Sequence, residues 1–452
     1  MKINTQLSLK DLEAPLKRFW DLSAEKVVAL NSNYDEKQGS PVFTVGGQYT
    51  TRGWTEWTQG FQYGCQILIG EAQQDSALIE MGRQNTVGKM AHHVSHFGVH
   101  DHGFNNLSTY GNLLRLINEG GLQAPDEAKD FYELAIKISG SVQAKRWSEI
   151  KDGGYIYSFN GPHSLFIDTM RTCRIVVAAH CFGHRFLEEN DRQINLLERA
   201  LVHGMTTAKY AVYYGEGRDS YDEPGRVAHE SIFNLNDGNY RCPNAQQGFS
   251  GFTTWTRGLA WAIVGYAEFL EFLSDYSGPE KNTEHVKVFE KAARATADFY
   301  LKYTAQDGIP YWDTGAPGIH QLGDYMSRTS EPINDHEPVD SSAAAIAAQG
   351  LLRLGAYFGG NADDASRYTK AGLTVLGTLL EEPYLSTSMD HQGLLLHSIY
   401  HRPNGWDHIP AGSKIPHGES SMWGDYHMTE LCFLAHRMGK GSYYKFYDGL
   451  LN

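Results

Sequence analysis

Five histidines, His92, His93, His96, His100 and His102, crowd around one acid, Asp101, in the stretch AHHVSHFGVHDHGF. Three kinds of chemistry are open to such a cluster: metal ligation, proton transfer and substrate binding. For metal, His92 and His96 stand four residues apart, which sets two imidazoles on one helical face. Against that reading, no HExxH motif is present and Gly98 ends the helix, so the histidines also read as groups at its C-terminal dipole. We therefore expect no metal. Asp101 follows the helix-breaking Gly98 and precedes Gly103 and Phe104, so it sits on a tight loop. There it is either an Asx-turn acid or a carboxylate entering a pocket. Asp168 opens the strongly apolar run HSLFIDTMRTCRIVVAAH. It reads equally as a dipole-stabilised acid or as a carboxyl whose apolar pocket raises its pKa, fit to donate a proton near neutrality.

A third feature is aromatic. The segment QGFSGFTTWTRGLAW carries Gln247, Trp255, Arg257 and Trp261, while Trp54, Trp57, Trp147, Trp312 and Trp423 stand near glycine-rich turns. Aromatic faces beside polar loops suit the C–H faces of sugar rings, although about half of these tryptophans are expected in the core.

These residues need a scaffold, and the chain predicts helices almost throughout. Apolar residues recur at spacings of three and four, as in Leu259, Ile263, Tyr266, Leu270 and Leu273. Helices are expected over 9–31, 57–70, 76–96, 105–118, 125–140, 164–189, 192–212, 253–274, 284–304, 340–357, 364–381 and 421–438, with Asp340 the clearest cap. Some are apolar nearly all round and others on one face, as two concentric helical layers require. An α-solenoid is the competing architecture, but no fixed repeat period shows. Segments 215–252 and 305–339 lack helical periodicity, and loops of that length are expected to be functional. No linker or composition shift divides residues 1–452, which we read as one all-α domain.

Composition excludes several classes. With 39 basic against 53 acidic residues the net charge is −14, and no Lys/Arg cluster appears, which argues against a nucleic-acid partner. No apolar run approaches the roughly 20 residues of a membrane span. The five cysteines are scattered without a CxxC pair, as expected of buried thiols in a reducing compartment. No signal-peptide h-region is visible, so the expected location is cytoplasmic, with the periplasm open if a leader was removed.

Several motifs fall in an order that resembles the unsaturated glucuronyl hydrolases, glycoside hydrolase family 88: WTEWTQGFQYG, VHDHGF, FIDTM, TWTRGLAWAIVGYAEFL, IPYWDTGAPG, DSSAAAIAAQGLLRL, LLLHSIYHRP and ESSMWGDYHMTEL. The resemblance implies an (α/α)6 barrel, no cofactor and an unsaturated uronate-containing oligosaccharide as substrate. It implies protonation of C4 of a 4,5-unsaturated uronic acid, water addition at C5 and expulsion of the aglycone. By motif position Asp168 is the expected acid and Asp101 the second catalytic acid. Trp57, His100, Trp147, His229, Gln247, Trp255, Arg257 and Trp261 are expected substrate-binding residues, with Arg257 toward the carboxylate. The sequence departs from the family at TMRTCRIV. Arg171, one turn from Asp168, either opposes a raised pKa or meets an anionic group of the substrate. Two other activities stay open: the related unsaturated rhamnogalacturonyl hydrolysis, and ordinary hydrolysis of saturated glycosides. The aglycone, the source polysaccharide and the oligomeric state are not specified.

Overall fold

The computed structural model of the chain describes residues 1–52 and 56–451, so Trp54 lies outside the described residues. Six helical segments form an inner ring: Gln59–Gln73, the run from His102–Asn106 through Leu107–Gly111 to Asn112–Asn118, the pair Thr169–Thr172 and Arg174–Cys181, then Thr256–Asp275, Ser341–Tyr357 and Met422–Gly439. Each packs on the next, and Met422–Gly439 returns to Gln59–Gln73. Between them in sequence come the outer helices Glu13–Asn33, Ser76–Lys89, Asp126–Lys145, Leu196–Tyr210, Thr283–Tyr303 and Ala362–Leu379. The inner helices are buried almost all round, whereas the outer ones bury one face. This is the expected (α/α)6 barrel.

Local chemistry explains the tightness of the ring. Asp340 caps Ser341–Tyr357 by accepting from the Ser342 and Ala343 amides. Gly103 lies against the backbone of Thr172, where an added Cβ would come within 2.1 Å of the carbonyl oxygen. Gly265 lies on Met170, where an added Cβ would come within 2.9 Å. Only glycine permits these approaches, and Gly103 thereby draws the segment carrying Asp101 against the one carrying Asp168.

Two expectations are corrected. Residues 164–189 do not form one helix: Ser164–Phe166 is a strand paired antiparallel with Glu230–Phe233, which also pairs with Tyr240–Asn244. A short apolar run reads alike as strand or helix start, and its partner lies over 60 residues away. The segment 215–252, expected to be irregular, supplies those two partner strands. Among the described residues no helix is long and apolar enough to cross a membrane, and the five cysteines are free.

Candidate active site

One cavity of about 260 Å³ opens at an end of the inner ring. Asp101, Asp168, His100, Trp57, Gln247, Trp255, Arg257 and Trp261 line it, eight of the residues expected from sequence. Each arrives by an identifiable route. Asp168 follows the strand Ser164–Phe166 and Ile167, whose amide donates to the His229 carbonyl at 3.0 Å. Asp101 precedes His102–Asn106, and its carbonyl accepts from the Phe104 and Asn105 amides. Trp255 stands immediately before Thr256–Asp275, the helix that carries Arg257 and Trp261 in its first two turns.

The acidic corner is tightly coupled. His100 Nε2 bonds Asp168 Oδ1 at 3.1 Å, and both side chains are buried. The His100 ring lies parallel to Phe159 and edge-on to Phe166, and its Nδ1 has no partner among the described residues. Burial pushes the Asp168 carboxyl up, but His100 and His229 outweigh it, and the net direction is down. Burial together with the charge of Asp168 raises Asp101, against the pull of His100. His100 itself is depressed by burial, yet Asp101 and Asp168 carry it above its usual value. The raised Asp168 pKa expected from an apolar helix is thus corrected. The sequence shows the apolar surroundings but not the two imidazoles folded onto the acid.

The aromatic wall is continuous. Trp57 donates Nε1 to the Tyr400 hydroxyl at 3.3 Å and stacks on Trp423. Phe104 sits between Trp57 and Trp261, with centroids 6.0 and 4.7 Å away. The Arg257 guanidinium lies over Trp255 at 4.7 Å.

The remaining expected residues stand elsewhere. His229 lies behind the lining, against Phe166 and Trp255, with Nδ1 accepting from the Gln246 and Gln247 amides. Trp147 faces away from the cavity: it packs on Gly154 of its own hairpin under the Arg199 guanidinium. Arg171 is fully buried in an ion network with Glu268 and Glu430 and does not reach the cavity. It neither pairs with Asp168 nor presents a charge to a ligand there. Sequence reasoning passed over Tyr400, His401 and Trp406, which also line the cavity. The first two lie inside the motif LLLHSIYHRP, and the signal was a His–Arg–Pro turn beside aromatic residues. No group of three or more His, Cys, Asp or Glu suited to hold a metal ion occurs among the described residues.

An (α/α)6 barrel whose cavity joins two carboxyl groups, imidazoles and an aromatic wall has the makeup of a carbohydrate-active protein. Comparison with known proteins narrows the class. No protein-family model matches the chain. It is 26% identical over 380 residues to an unsaturated glucuronyl hydrolase of Formosa agariphila, covering 83% of this chain and 78% of that protein. It is 23% identical over 419 residues to an unsaturated chondroitin disaccharide hydrolase of Streptococcus agalactiae, covering 90% and 88%. Among solved structures, the unsaturated glucuronyl hydrolase of Bacillus sp. GL1 superimposes with a TM-score of 0.69 at 21% identity, over 94% of this chain and 97% of that one. An unsaturated glucuronyl hydrolase specific for heparin gives 0.72 at 19% identity, over 95% and 98%. The chain is a relative of the unsaturated glucuronyl hydrolases along most of its length, as its motifs suggested, and shares their fold.

Proposed function

We propose that the protein is a glycoside hydrolase that removes a 4,5-unsaturated uronic acid from the non-reducing end of lyase-generated oligosaccharides. In this reading residues 1–452 form one catalytic domain. The observation that carries the assignment is the position of Asp168. It is buried, lines the cavity, bonds His100 and is not tied to Arg171.

The His100–Asp168 pair shares one proton, and the pKa directions favour the imidazole as its holder. A sugar ring filling the cavity displaces water, and a neutral pair is easier to desolvate than an ion pair. The proton then crosses the 3.1 Å bond from Nε2 to Oδ1. Asp168 delivers it to C4 of the enol ether, and positive charge develops at C5 and the ring oxygen. Water adds at C5 and gives its proton to the Asp168 carboxylate. The hemiketal opens and releases the aglycone. Because no glycosyl-enzyme forms, the spacing of the two carboxyl groups does not set a retaining or inverting outcome. Asp101 and Gln247 hold and orient the ring, His229 supports the Gln246–Gln247 backbone from behind, and Trp57, Trp255 and Trp261 support the apolar face of the sugar.

A second reading exchanges the acids. Asp101 is the carboxyl that burial and the charge of Asp168 push up, the direction a proton donor needs. Ultraviolet absorbance of the conjugated alkene tests the activity. Glycosaminoglycan, ulvan and pectin lyase digests are screened for its decay, and a panel left unchanged would contradict the proposal. Comparing D168N with D101N separates the two readings, since the true proton donor is the one whose amide variant loses turnover while still binding sugar.

A further inference from the structure

Arg257, the expected carboxylate partner, has both terminal nitrogens already committed. Its Nη1 donates to Asp340 at 2.9 Å and to the Ile399 carbonyl, and its Nη2 donates to Gln247 at 3.1 Å and to the Tyr400 carbonyl at 2.8 Å. Arg146, the next buried cation, spends its donors on the carbonyls of Phe97, Tyr157 and Ser158. The negative group of the reacting ring therefore needs another donor.

We propose that His401 is a specificity-determining residue whose Nε2–H receives the carboxylate of the substrate's uronate ring. This rests on the unsaturated-uronate reading above. The ring lines the same cavity as Asp101 and Asp168, is 3% exposed, and its Nε2 has no partner among the described residues. A buried donor with no partner in the protein is explained if a ligand completes it. The other ring nitrogen sets the tautomer. Nδ1 accepts from the Asn404 amide at 3.3 Å within the turn Arg402–Asn404, so the hydrogen resides on Nε2.

The backbone beneath is clamped from both sides. Asp407 accepts from the Tyr400 amide at 2.5 Å and the His401 amide at 2.9 Å, while Arg257 holds the two carbonyls before it. Trp406 packs on the His401 ring with centroids 4.8 Å apart. Arg257 thus acts as a positioning residue for His401. Burial, with Arg257 beside it, holds the imidazole down to about 4, so it is a neutral donor near pH 7. A neutral donor orients the carboxylate without cancelling its charge. That charge remains available to the positive centre that develops at the adjoining C5.

The test compares kcat/KM for a lyase-generated unsaturated disaccharide with that for its uronate methyl ester, after thermal unfolding has shown that each variant folds. A hydrogen bond to a charged group gives the wild type a preference for the acid of roughly 10- to 100-fold. H401L is expected to reduce that preference to within about 3-fold, mainly through KM, while H401Q keeps a donor and most of the preference. H401A, with less bulk, is the second variant should H401L unfold. Wild-type preference in H401L or H401A would overturn the assignment and pass the carboxylate to another donor. A wild type that consumes neither compound would instead remove the uronyl-hydrolase reading, and His401 with it.

Discussion

Two buried charged clusters lie close together on the inner ring, and they differ in one respect that decides their use. Arg171, Arg174 and Arg353 meet Glu268, Glu271 and Glu430, three cations against three acids. Among these charges, Arg171 and Arg174 hold Glu430 far below the usual carboxylate range against the effect of burial. The second cluster, Asp101, His100 and Asp168, sets one imidazole between two carboxyl groups and faces a cavity. The first pairs its charges with one another and lines no part of that cavity. The second is one charge short, and its protons have more than one place to reside. Charge that closes on itself builds the barrel, and charge left open at a cavity wall does chemistry. Arg171 and Asp168, only three residues apart, fall on opposite sides of that line.

Substitutions can break this contrast. The largest effect is expected from D168N, which removes the proton carrier with little change of shape. Turnover falls by about 10²- to 10⁴-fold, while sugar binding and thermal unfolding stay near those of the wild type. A variant retaining most of its activity would place the acid elsewhere. R171M should do the reverse. It removes the nearest cation of the buried Glu268 and Glu430, leaving them the longer contacts of Arg174, and costs about 3–5 kcal/mol in denaturant unfolding, while kcat per folded molecule changes little. Loss of kcat without loss of stability would show that the two clusters are one.

The pH profile sharpens the comparison from the open side. Because His100 is raised above its ordinary 6.5, the pair keeps its shared proton past that pH. Plots of kcat/KM should hold through pH 6.5 and fall at higher pH as that proton leaves. H100Q should displace this alkaline limb, whereas a limb unmoved by H100Q would exclude the pair as its source.

The smallest effect concerns Glu419, whose carboxylate accepts from the Gly46 and Gly47 amides and pairs with His391. Burial raises it, but these partners bring it down to about 2 from an ordinary 4.5. A carboxyl depressed in the folded state stabilises above pH 4.5, and that stability is lost as pH falls through about 2. Since its side chain is 28% exposed, E419Q should cost only about 1 kcal/mol at pH 7, and the cost should vanish toward pH 2. A penalty unchanged across that range would contradict the linkage.

Much of this was legible beforehand because helical periodicity and motif order are local signals. Eleven of the twelve expected helices have counterparts, 164–189 being the exception, and Asp340 caps its helix as read. Asp101, Asp168, Trp57, Trp255 and Trp261 reach one cavity from loops and helix starts that the chain itself marks with glycine, proline and cap residues. What stayed hidden depends on contacts between distant segments. The strand at Ser164–Phe166 needs Glu230–Phe233 to exist. Trp147 looks like any other tryptophan near a turn until Arg199 covers its ring. The downward shift of Asp168 requires His100 and His229, brought from 68 residues before it and 61 after it. His401 sits in a stretch without periodicity, and its role arises only once Arg257 is seen to be occupied.

The central claim is that the protein protonates a carbon atom. Running the reaction in deuterium oxide and reading the product by NMR tests this most directly. We predict one deuterium bound to carbon at C4, acquired together with loss of the alkene absorbance and absent with D168N. Release of the aglycone with the C4=C5 bond intact and no carbon-bound deuterium would contradict it.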